Sequence, residues 1–341
     1  MAAYTTIDNP ELYFQVKLWT GNGSNPRTIT LDGDENMQPD MVWYKCRSHA
    51  VPNILLDSVR TAGNDKELQP DDTTAEGGTS ADADGYISAF TSNGFTLTEG
   101  SSGDHYTNEG SRTFVAYCWK ESSDAGFDIV TYTGNETART ISHSLSAKPR
   151  VIICKGRSVA SNWTTQHGSY GAEKQFQLQE TDAVADHATT WNDTEPTTSV
   201  FSVGTGTACN DNGETFVAYL FAEKQGYSKF GKYGGNANTD GTFIYTGFSP
   251  AWILHKRASD TGDWRVWNNK SEGFNPNPHA LFPNTDATEY NTSNLHIDFL
   301  SNGFKFRTSD SNVNTSGETY IYMAFAEAPF VNSKGVPCNA R

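Results

Sequence analysis

The sequence is poor in cysteine, in positive charge and in long hydrophobic runs, and each shortage excludes a class of protein. Its five cysteines are odd in number and form no CxxC pair, so we expect free thiols and neither a disulfide framework nor a zinc site. The 25 Lys and Arg residues face 40 Asp and Glu residues, and the net charge of −15 argues against a nucleic-acid partner, because phosphate backbones are bound by clusters of positive charge. The longest apolar runs, residues 114–119 and 320–326, are far shorter than the roughly 20 residues of a membrane span, so no membrane insertion is expected.

Signals for secretion, catalysis and metal binding are also missing. The N-terminus has neither a basic start nor an apolar stretch, so we expect no secretory signal and synthesis in a cytoplasm. The eight histidines show no HxH or HExxH spacing. Residues 32–36 alternate oxygen ligands like the start of a calcium loop, but Met37 and Trp43 stand where such a loop needs Gly and Glu. The prediction is therefore no catalytic residue, no metal and no cofactor.

What the sequence has in abundance is repetition. Residues 113–121 read TFVAYCWKE, residues 215–223 read TFVAYLFAE and residues 319–327 read TYIYMAFAE. A second string, a proline that opens an apolar run with a lysine six positions later, begins at Pro39, Pro149 and Pro250. The copies are roughly 100 residues apart, which is too long for a solenoid unit and is the size of a domain.

Each copy has the pattern of strands. Short β-branched and aromatic runs, six to eight per copy, are bounded by Gly, Asn, Pro and Asp, and no stretch shows a helical stripe. We therefore predict an all-β fold of three tandem β-sandwich, jelly-roll-like domains. The predicted segments are an N-terminal arm (1–12), the three sandwiches (13–122, 123–226 and 227–330) and a C-terminal tail (331–341).

The string at residues 215–223 is predicted to be a central strand of its sandwich. From Phe216 onward its side chains are expected to alternate between two buried faces. Its closing residue, Glu223, recurs as Glu121 and Glu327. One active site needs one constellation of residues, so a glutamate repeated in every copy is predicted to be structural.

The segments that differ between the copies are predicted to serve recognition. After the lysine strand the copies read PNILLDSVR, SNWTTQHGSY and GDWRVWNNK. Aromatic rings among Asn, Asp, Gln and Thr can stack on sugar rings and hydrogen-bond their hydroxyls. The candidate glycan-binding residues are Trp163, Trp191, Trp267 and Tyr170. The alternative, that Trp163 and Trp264 pack a sheet face, stays open at this point.

Several longer stretches resemble a known family. Residues 226–257, 297–307 and 317–330, together with residues 4–26, resemble an uncharacterised repeat family of virion structural proteins of marine tailed phages, notably cyanophages. The resemblance covers essentially the whole chain and implies a place in the virion after synthesis in the host cytoplasm. It leaves the molecular role open, because the biochemistry of that family is not settled.

Our leading hypothesis from the sequence is a non-enzymatic virion surface protein, a tail fibre or receptor-binding appendage that contacts host-surface glycan and other virion proteins. Capsid decoration is the alternative, and a polysaccharide-degrading enzyme with paired carboxylates is the second alternative. The chain is also predicted to form a homo-oligomer, with a trimer as one form, because symmetric assembly multiplies weak sugar contacts. In the arm, the candidate virion-anchoring residues are Tyr4, Ile7, Leu12 and Tyr13.

Overall fold

The computed structural model describes residues 3–78 and 81–338, with the backbone alone for Ala81 and Asp82. The outer ends of the predicted arm and tail, residues 1–2 and 339–341, lie outside the described residues. The described chain is almost entirely β, which confirms the predicted all-β class. In this part of the chain, no helix is both long enough and apolar enough to span a bilayer.

We call residues 13–122, 123–226 and 227–330 the first, second and third repeat. Each contains a larger and a smaller antiparallel sheet. The strands of the first repeat are β1 (Phe14–Thr20), β2 (Arg27–Thr30), β3 (Met41–Cys46), β4 (Ile54–Asp57), β5 (Tyr86–Thr91), β6 (Gly94–Thr98) and β7 (Thr113–Trp119). The larger sheet has the order β1-β7-β3-β4 and the smaller sheet the order β2-β6-β5.

The second repeat has the same arrangement with a wider larger sheet. Its strands are β8 (Phe127–Thr133), β9 (Arg139–Ser142), β10 (Val151–Gly156), β11 (Thr164–His167), β12 (Lys174–Gln177), β13 (Ala185–Asp186), β14 (Val200–Val203) and β15 (Thr215–Phe221). The larger sheet runs β13-β12-β11-β10-β15-β8, and β14 pairs with β9.

The third repeat returns to a four-stranded larger sheet. Its strands are β16 (Ser228–Gly234), β17 (Phe243–Tyr245), β18 (Phe248–Arg257), β19 (Trp264–Asn268), β20 (His279–Ala280), β21 (Tyr290–Asn291), β22 (Ile297–Leu300), β23 (Gly303–Phe306) and β24 (Thr319–Pro329). The larger sheet runs β16-β24-β18-β19 and the smaller sheet β17-β23-β22, with β20 and β21 as a separate pair.

Helices serve only as short connections in the described chain. The α-helices are α1 (Ala81–Asp84), α2 (Thr207–Asn210) and α3 (Ser311–Asn314), and the 3₁₀ helices are Pro10–Leu12 and Ser293–Leu295. Each α-helix has four residues, which is a single turn, so the layers of the fold are sheets.

The repeated string forms a central strand in every larger sheet. β7 lies between β1 and β3, β15 between β8 and β10, and β24 between β16 and β18. One face of β15 belongs to a buried cluster inside the second repeat, through Phe216, Ala218 and Leu220. The other face belongs to a cluster shared by all repeats, through Val217, Tyr219 and Phe221. The predicted alternation between two buried faces is confirmed.

Three equivalent aromatic residues meet at the centre of the molecule. Trp119, Phe221 and Phe325 occupy the same register position in their sheets. Their ring centroids lie 6.4 Å (Trp119–Phe221), 5.7 Å (Trp119–Phe325) and 5.9 Å (Phe221–Phe325) apart. Burial of each such ring contributes on the order of 1.5–3 kcal/mol. The three repeats therefore share one core instead of standing in a row.

The repeated lysine connects neighbouring repeats. In each repeat its Nζ donates a hydrogen bond to a backbone carbonyl oxygen of another repeat; the pairs are Lys45–Asp286 at 2.9 Å, Lys155–Thr73 at 3.0 Å and Lys256–Thr181 at 3.1 Å. The first repeat thus contacts the third, the second contacts the first, and the third contacts the second. These contacts close the chain into a ring around a pseudo-threefold axis. Burial lowers the pKa of each of these lysines to about 8.

A second contact recurs at all three interfaces. A side-chain N–H beside the fourth strand donates to a carbonyl oxygen of the neighbouring repeat; the pairs are Asn53–Phe282 at 2.9 Å, Trp163–Gln69 at 2.7 Å and Trp264–Gln177 at 2.9 Å. Asn53 has an amide where the other repeats have an indole, and it still supplies the donor. The ring is therefore held by the same two backbone acceptors at every interface.

Candidate functional site

The three tryptophans predicted to bind glycan lie inside the protein. Trp163, Trp191 and Trp267 are 0%, 1% and 0% exposed, and an indole without an exposed face cannot stack on a sugar ring. Trp163 belongs to the shared core, whereas Trp191 and Trp267 belong to the separate cores of the second and third repeats. The structure places all three in the core, contrary to the predicted exposure, and for Trp163 it matches the alternative that the indole packs a sheet face.

Tyr170 lies at the interface between the second and third repeats. Its half-buried ring meets the ring of Phe176 edge-on, with 5.7 Å between centroids. The ammonium group of Lys232 in the third repeat lies 5.2 Å from the centroid of the Tyr170 ring. Burial raises the pKa of Tyr170, so its hydroxyl stays protonated. The ring is thus held within the ring of repeats instead of forming a common surface with the tryptophans.

The arm residues predicted to anchor the protein in a virion pack on the chain itself. Ile7 is 4% exposed and belongs to the shared core, whereas Leu12 is 37% exposed. The other two contact the third repeat; the pairs are Tyr13–Tyr227, with 6.2 Å between ring centroids, and Tyr4–Gly247, with 2.8 Å from hydroxyl to carbonyl oxygen. A role in anchoring stays a prediction, and Leu12 is the residue of the four that faces outward.

A groove of about 690 Å³ opens on the third repeat. It is bounded by the segment that follows β19, by the turn between β22 and β23, and by the end of β24 with the tail. We call it the third-repeat groove and define it by Asn269, Phe274, Asn275, Phe299, Asn302 and Glu327.

The lining of the third-repeat groove combines polar and apolar side chains, with an aromatic rim. Side-chain amides predominate, and each amide offers both donors and an acceptor. The ring of Phe274 is 67% exposed at the edge. Glu327 is the only carboxylate among the described lining residues, and nowhere in the described chain do three or more His, Cys, Asp or Glu residues form a group that could hold a metal. Such a lining suits an uncharged ligand rich in hydroxyl groups.

Asn275 fixes one wall of the groove. Its Nδ2 donates to the carbonyl oxygen of Phe299 at 2.8 Å, and its Oδ1 accepts from the Phe299 amide at 2.9 Å. The side chain therefore pairs with β22 as another strand would. This pairing holds the neighbouring residue, Phe274, with its ring directed outward.

At the groove, the repeated glutamate has a different environment from its two counterparts. At the first two junctions the repeated glutamate accepts a backbone N–H from the next repeat: Glu121 from Ile129 at 3.3 Å and Glu223 from Phe230 at 2.8 Å. These two confirm the predicted structural role. Glu327 is exposed instead, accepts a hydrogen bond of 3.1 Å from Ser249 Oγ, and lines the groove.

Asn269, which lines the groove, has a buried side-chain acceptor without a donor. In the first repeat Ser58 Oγ donates to the carboxylate of Asp40 at 2.8 Å. The equivalent positions in the third repeat are Asn269 and Ala251, since the same backbone bond joins each pair. Ala251 has no polar side chain, and the buried Oδ1 of Asn269 makes no hydrogen bond within the described chain. A buried acceptor without a donor costs about 1–3 kcal/mol.

Sequence reasoning missed this groove. The available signal was Phe274, an apolar residue between Gly273 and Asn275 in a polar segment. The lack of a partner for Asn269 could not be read from the sequence, because it depends on which residue of β18 lies opposite.

Comparison with known proteins gives a family and no activity. A family model described as a domain of unknown function (DUF7483) matches residues 9–329. No curated protein matches the chain.

Proposed function

The chain belongs to the DUF7483 family, a domain of unknown function, and we propose that it is a non-enzymatic virion surface protein that binds host-surface glycan in the third-repeat groove. The observation that carries the proposal is the exposed ring of Phe274 on the rim of a groove lined by asparagine side chains. The virion location follows from the resemblance to structural proteins of marine tailed phages. Within the virion, a tail fibre or receptor-binding appendage is the form we propose.

The chemistry of the groove supports a sugar ligand. A sugar ring has an apolar face, which an exposed aromatic ring such as Phe274 can cover. It also carries hydroxyl groups, which both donate to and accept from amides such as that of Asn269. The net charge of −15 favours neutral over acidic polysaccharide, because like charges repel at the approach.

The scaffold supports a role in recognition. The shared core and the lysine contacts hold all three repeats in one body, so the groove is formed before a ligand arrives. A preformed site loses less conformational freedom on binding than a flexible one. Loops held on rigid sheets are the usual place for such binding sites.

Binding is favoured over cleavage by the acidic residues of the groove. Most glycoside hydrolases use two carboxyl groups that flank the scissile bond. Among the described residues that line the groove, Glu327 supplies a single carboxylate. We therefore propose that the glycan is held without being cut.

Capsid decoration is the second candidate, and one observation favours it. The three repeats surround a pseudo-threefold axis, with equivalent residues such as Lys45, Lys155 and Lys256 at equivalent interfaces. A single chain of this shape fits a threefold position of a capsid lattice. Electron microscopy of the virion separates the candidates, because an appendage lies on the tail and a decoration protein lies on the capsid.

The test uses the full chain and delipidated envelope polysaccharide from a marine cyanobacterium. Calorimetric titration of the wild type should give saturable binding. Phe274→Ala should weaken it about fivefold, because one stacked ring is worth roughly 1 kcal/mol. Val59→Ala, at a 43% exposed apolar residue of the first repeat, is the matched control and should bind like the wild type.

Two results would overturn the proposal. One is the absence of binding by the wild type, and the other is equal loss in Phe274→Ala and Val59→Ala. The chain length of the polysaccharide after incubation is recorded in the same experiment. Shortened chains would show an enzyme in place of a binding protein.

A further inference from the structure

Two exposed aromatic residues lie on strand β17 of the third repeat. Phe243 and Tyr245 are 44% and 54% exposed, while Ile244 between them is 5% exposed and points into the core. Residues two apart in a strand share a face, so both rings stand on the outer face of the smaller sheet. Large apolar side chains grouped on a surface mark an interaction site more often than scattered ones.

The other repeats act as internal controls for this strand. β2, β9 and β17 pair with their neighbours so that Ile29, Ile141 and Ile244 stand opposite Phe95, Phe201 and Phe304. The outward positions on either side of the isoleucine are Thr28 and Thr30 in the first repeat and Thr140 and Ser142 in the second. The fold therefore needs only small hydroxyl residues here, and the aromatic pair is specific to the third repeat.

Both rings are fixed by their surroundings. A Cβ placed on Gly303 would lie 2.9 Å from Cε2 of Phe243, so the Phe243 ring rests against this glycine and turns its other face outward. The Tyr245 hydroxyl lies 3.4 Å from the hydroxyl of Tyr4, which donates to the carbonyl oxygen of Gly247 at 2.8 Å. Burial, followed by the contact with Tyr245, raises the pKa of Tyr4, so this phenol stays protonated.

Polar groups suited to hydroxyl recognition stand beside the rings. Lys305, directly across from Phe243 in the sheet, has its Nζ 2.7 Å from Asp240 Oδ1. Arg307 donates to the same oxygen at 2.8 Å. A flat apolar surface flanked by charged donors and an acceptor is the combination that a sugar ring requires.

The aromatic pair and the third-repeat groove border the same turn. Asn302, which lines the groove, accepts hydrogen bonds through its carbonyl oxygen from the amides of Thr246 and Gly247 at 3.0 and 3.2 Å. These two residues directly follow Tyr245. A polymer that lies in the groove and continues across this turn would therefore reach the two rings.

We propose that Phe243 and Tyr245 form a second sugar-binding subsite, which stacks on the rings of the same neutral polysaccharide that the groove holds. This inference rests on the proposed function and extends it from one site to a path along the third repeat. A partner protein that adds a strand to β17 is less suited, because β17 has three residues and short edge strands offer few backbone hydrogen bonds.

The test replaces the pair with the residues of the first repeat in the double variant F243T/Y245T. The variant should fold, since Thr occupies both positions in the first repeat. T140A/S142A in the second repeat is the matched control. With the same envelope polysaccharide as probe, the double variant should bind about tenfold more weakly, and the control should match the wild type. The sedimentation coefficient of each protein is recorded alongside.

The outcomes separate this inference from the proposed function. If the wild type does not bind the polysaccharide, both fail. If the wild type binds and F274A binds weakly while F243T/Y245T matches the wild type, the groove stands and the second subsite is overturned. A change in sedimentation without a change in affinity would also overturn it, because the rings would then join copies of the chain.

Discussion

Lys155 of the second repeat donates hydrogen bonds to the carbonyl oxygen of Thr73 in the first repeat at 3.0 Å and to that of Gly156 in its own strand at 3.1 Å. The side chain is buried, yet its charge is matched by backbone acceptors from two repeats. Because the same contact occurs at Lys45 and Lys256, a residue type that usually lies on the surface joins the three repeats here.

Removing this contact should destabilise the whole protein. Lys155→Ala leaves the carbonyl oxygens of Thr73 and Gly156 without their donor and opens a cavity between two repeats. We expect a loss of about 2–4 kcal/mol in the free energy of unfolding, measured by urea titration. Lys120→Ala, at an exposed lysine, is the control and should change the free energy by less than about 0.5 kcal/mol. Equal effects of the two substitutions would show that the contact contributes nothing.

The same lysine should make the free energy of unfolding rise with pH in alkaline solution. Burial lowers the pKa of Lys155 to about 8 from 10.5, so the unfolded chain binds more protons than the folded one between these values. Its contribution to stability is full above pH 10.5 and is lost as the pH falls through 8. Lys155→Met should reduce the rise in the free energy of unfolding between pH 8 and pH 10.5, measured by urea titrations at intervals across this range. An unchanged rise in the variant would assign the effect to other groups.

Glu121 should make the free energy of unfolding fall as the pH rises in mildly acidic solution. Burial, followed by a hydrogen bond with Asp128, raises its pKa to about 7 from 4.5. The folded state therefore holds the proton more tightly, and this contribution is full below pH 4.5 and is lost as the pH rises through 7. Glu121→Gln keeps the hydrogen bond without titrating. The free energy of unfolding of this variant should therefore fall less than that of the wild type between pH 4.5 and pH 7. Parallel curves for variant and wild type would contradict the assignment.

The three interfaces also differ in a pair of side chains that is charged at two of them. Arg157 pairs with Glu76, and Arg47 pairs with Glu289 at 2.7 Å. At the equivalent positions, the interface between the second and third repeats has Ala258 and Val184. The positions are equivalent because the same backbone hydrogen bond joins each pair; its lengths are 2.8 Å (Glu76–Arg157), 2.8 Å (Glu289–Arg47) and 2.9 Å (Val184–Ala258). An ion pair and an apolar contact thus serve the same position.

Replacing the Arg157–Glu76 pair between the first and second repeats with an apolar pair tests this equivalence. Arg157→Ala alone removes one of the two cations paired with Glu76, whose side chain is 8% exposed and keeps Arg60 Nη1 at 3.4 Å, and should cost about 1–3 kcal/mol. The double variant Arg157→Ala/Glu76→Val reproduces the apolar pair and should recover part of that loss. A double-mutant cycle by urea titration measures the coupling, which we expect at about 0.5–3 kcal/mol. Additive losses would show that the two side chains act independently.

The sequence was sufficient for the elements of the fold that depend on local pattern. The repeated string from Thr215 to Phe221 alternates between two apolar faces, and this pattern alone predicts a central strand. It could not show that one of these faces belongs to a core shared with the other repeats. Trp163 is an example: its polar neighbours suggest a glycan-binding ring, but its indole is covered by the first repeat, which precedes it by roughly 90 residues in the chain.

The binding groove was hidden from the sequence for a related reason. Asn269 is an ordinary polar residue until the register of β18 places Ala251 where the first repeat has Asp40. Glu327 repeats a residue that accepts a backbone N–H from the next repeat at its two other occurrences, but here it is exposed and lines the groove. Both facts are relations between distant parts of the chain, which composition and periodicity do not contain.

The most direct measurement is hydrogen–deuterium exchange of the full chain with and without the envelope polysaccharide. We predict that the polysaccharide slows exchange in residues 269–277 and 299–302, which border the third-repeat groove, and in residues 243–247 beside the aromatic pair. The corresponding loops of the first and second repeats should be unchanged, which makes them an internal control. Saturable binding accompanied by protection in those loops, and none around the groove, would contradict the account.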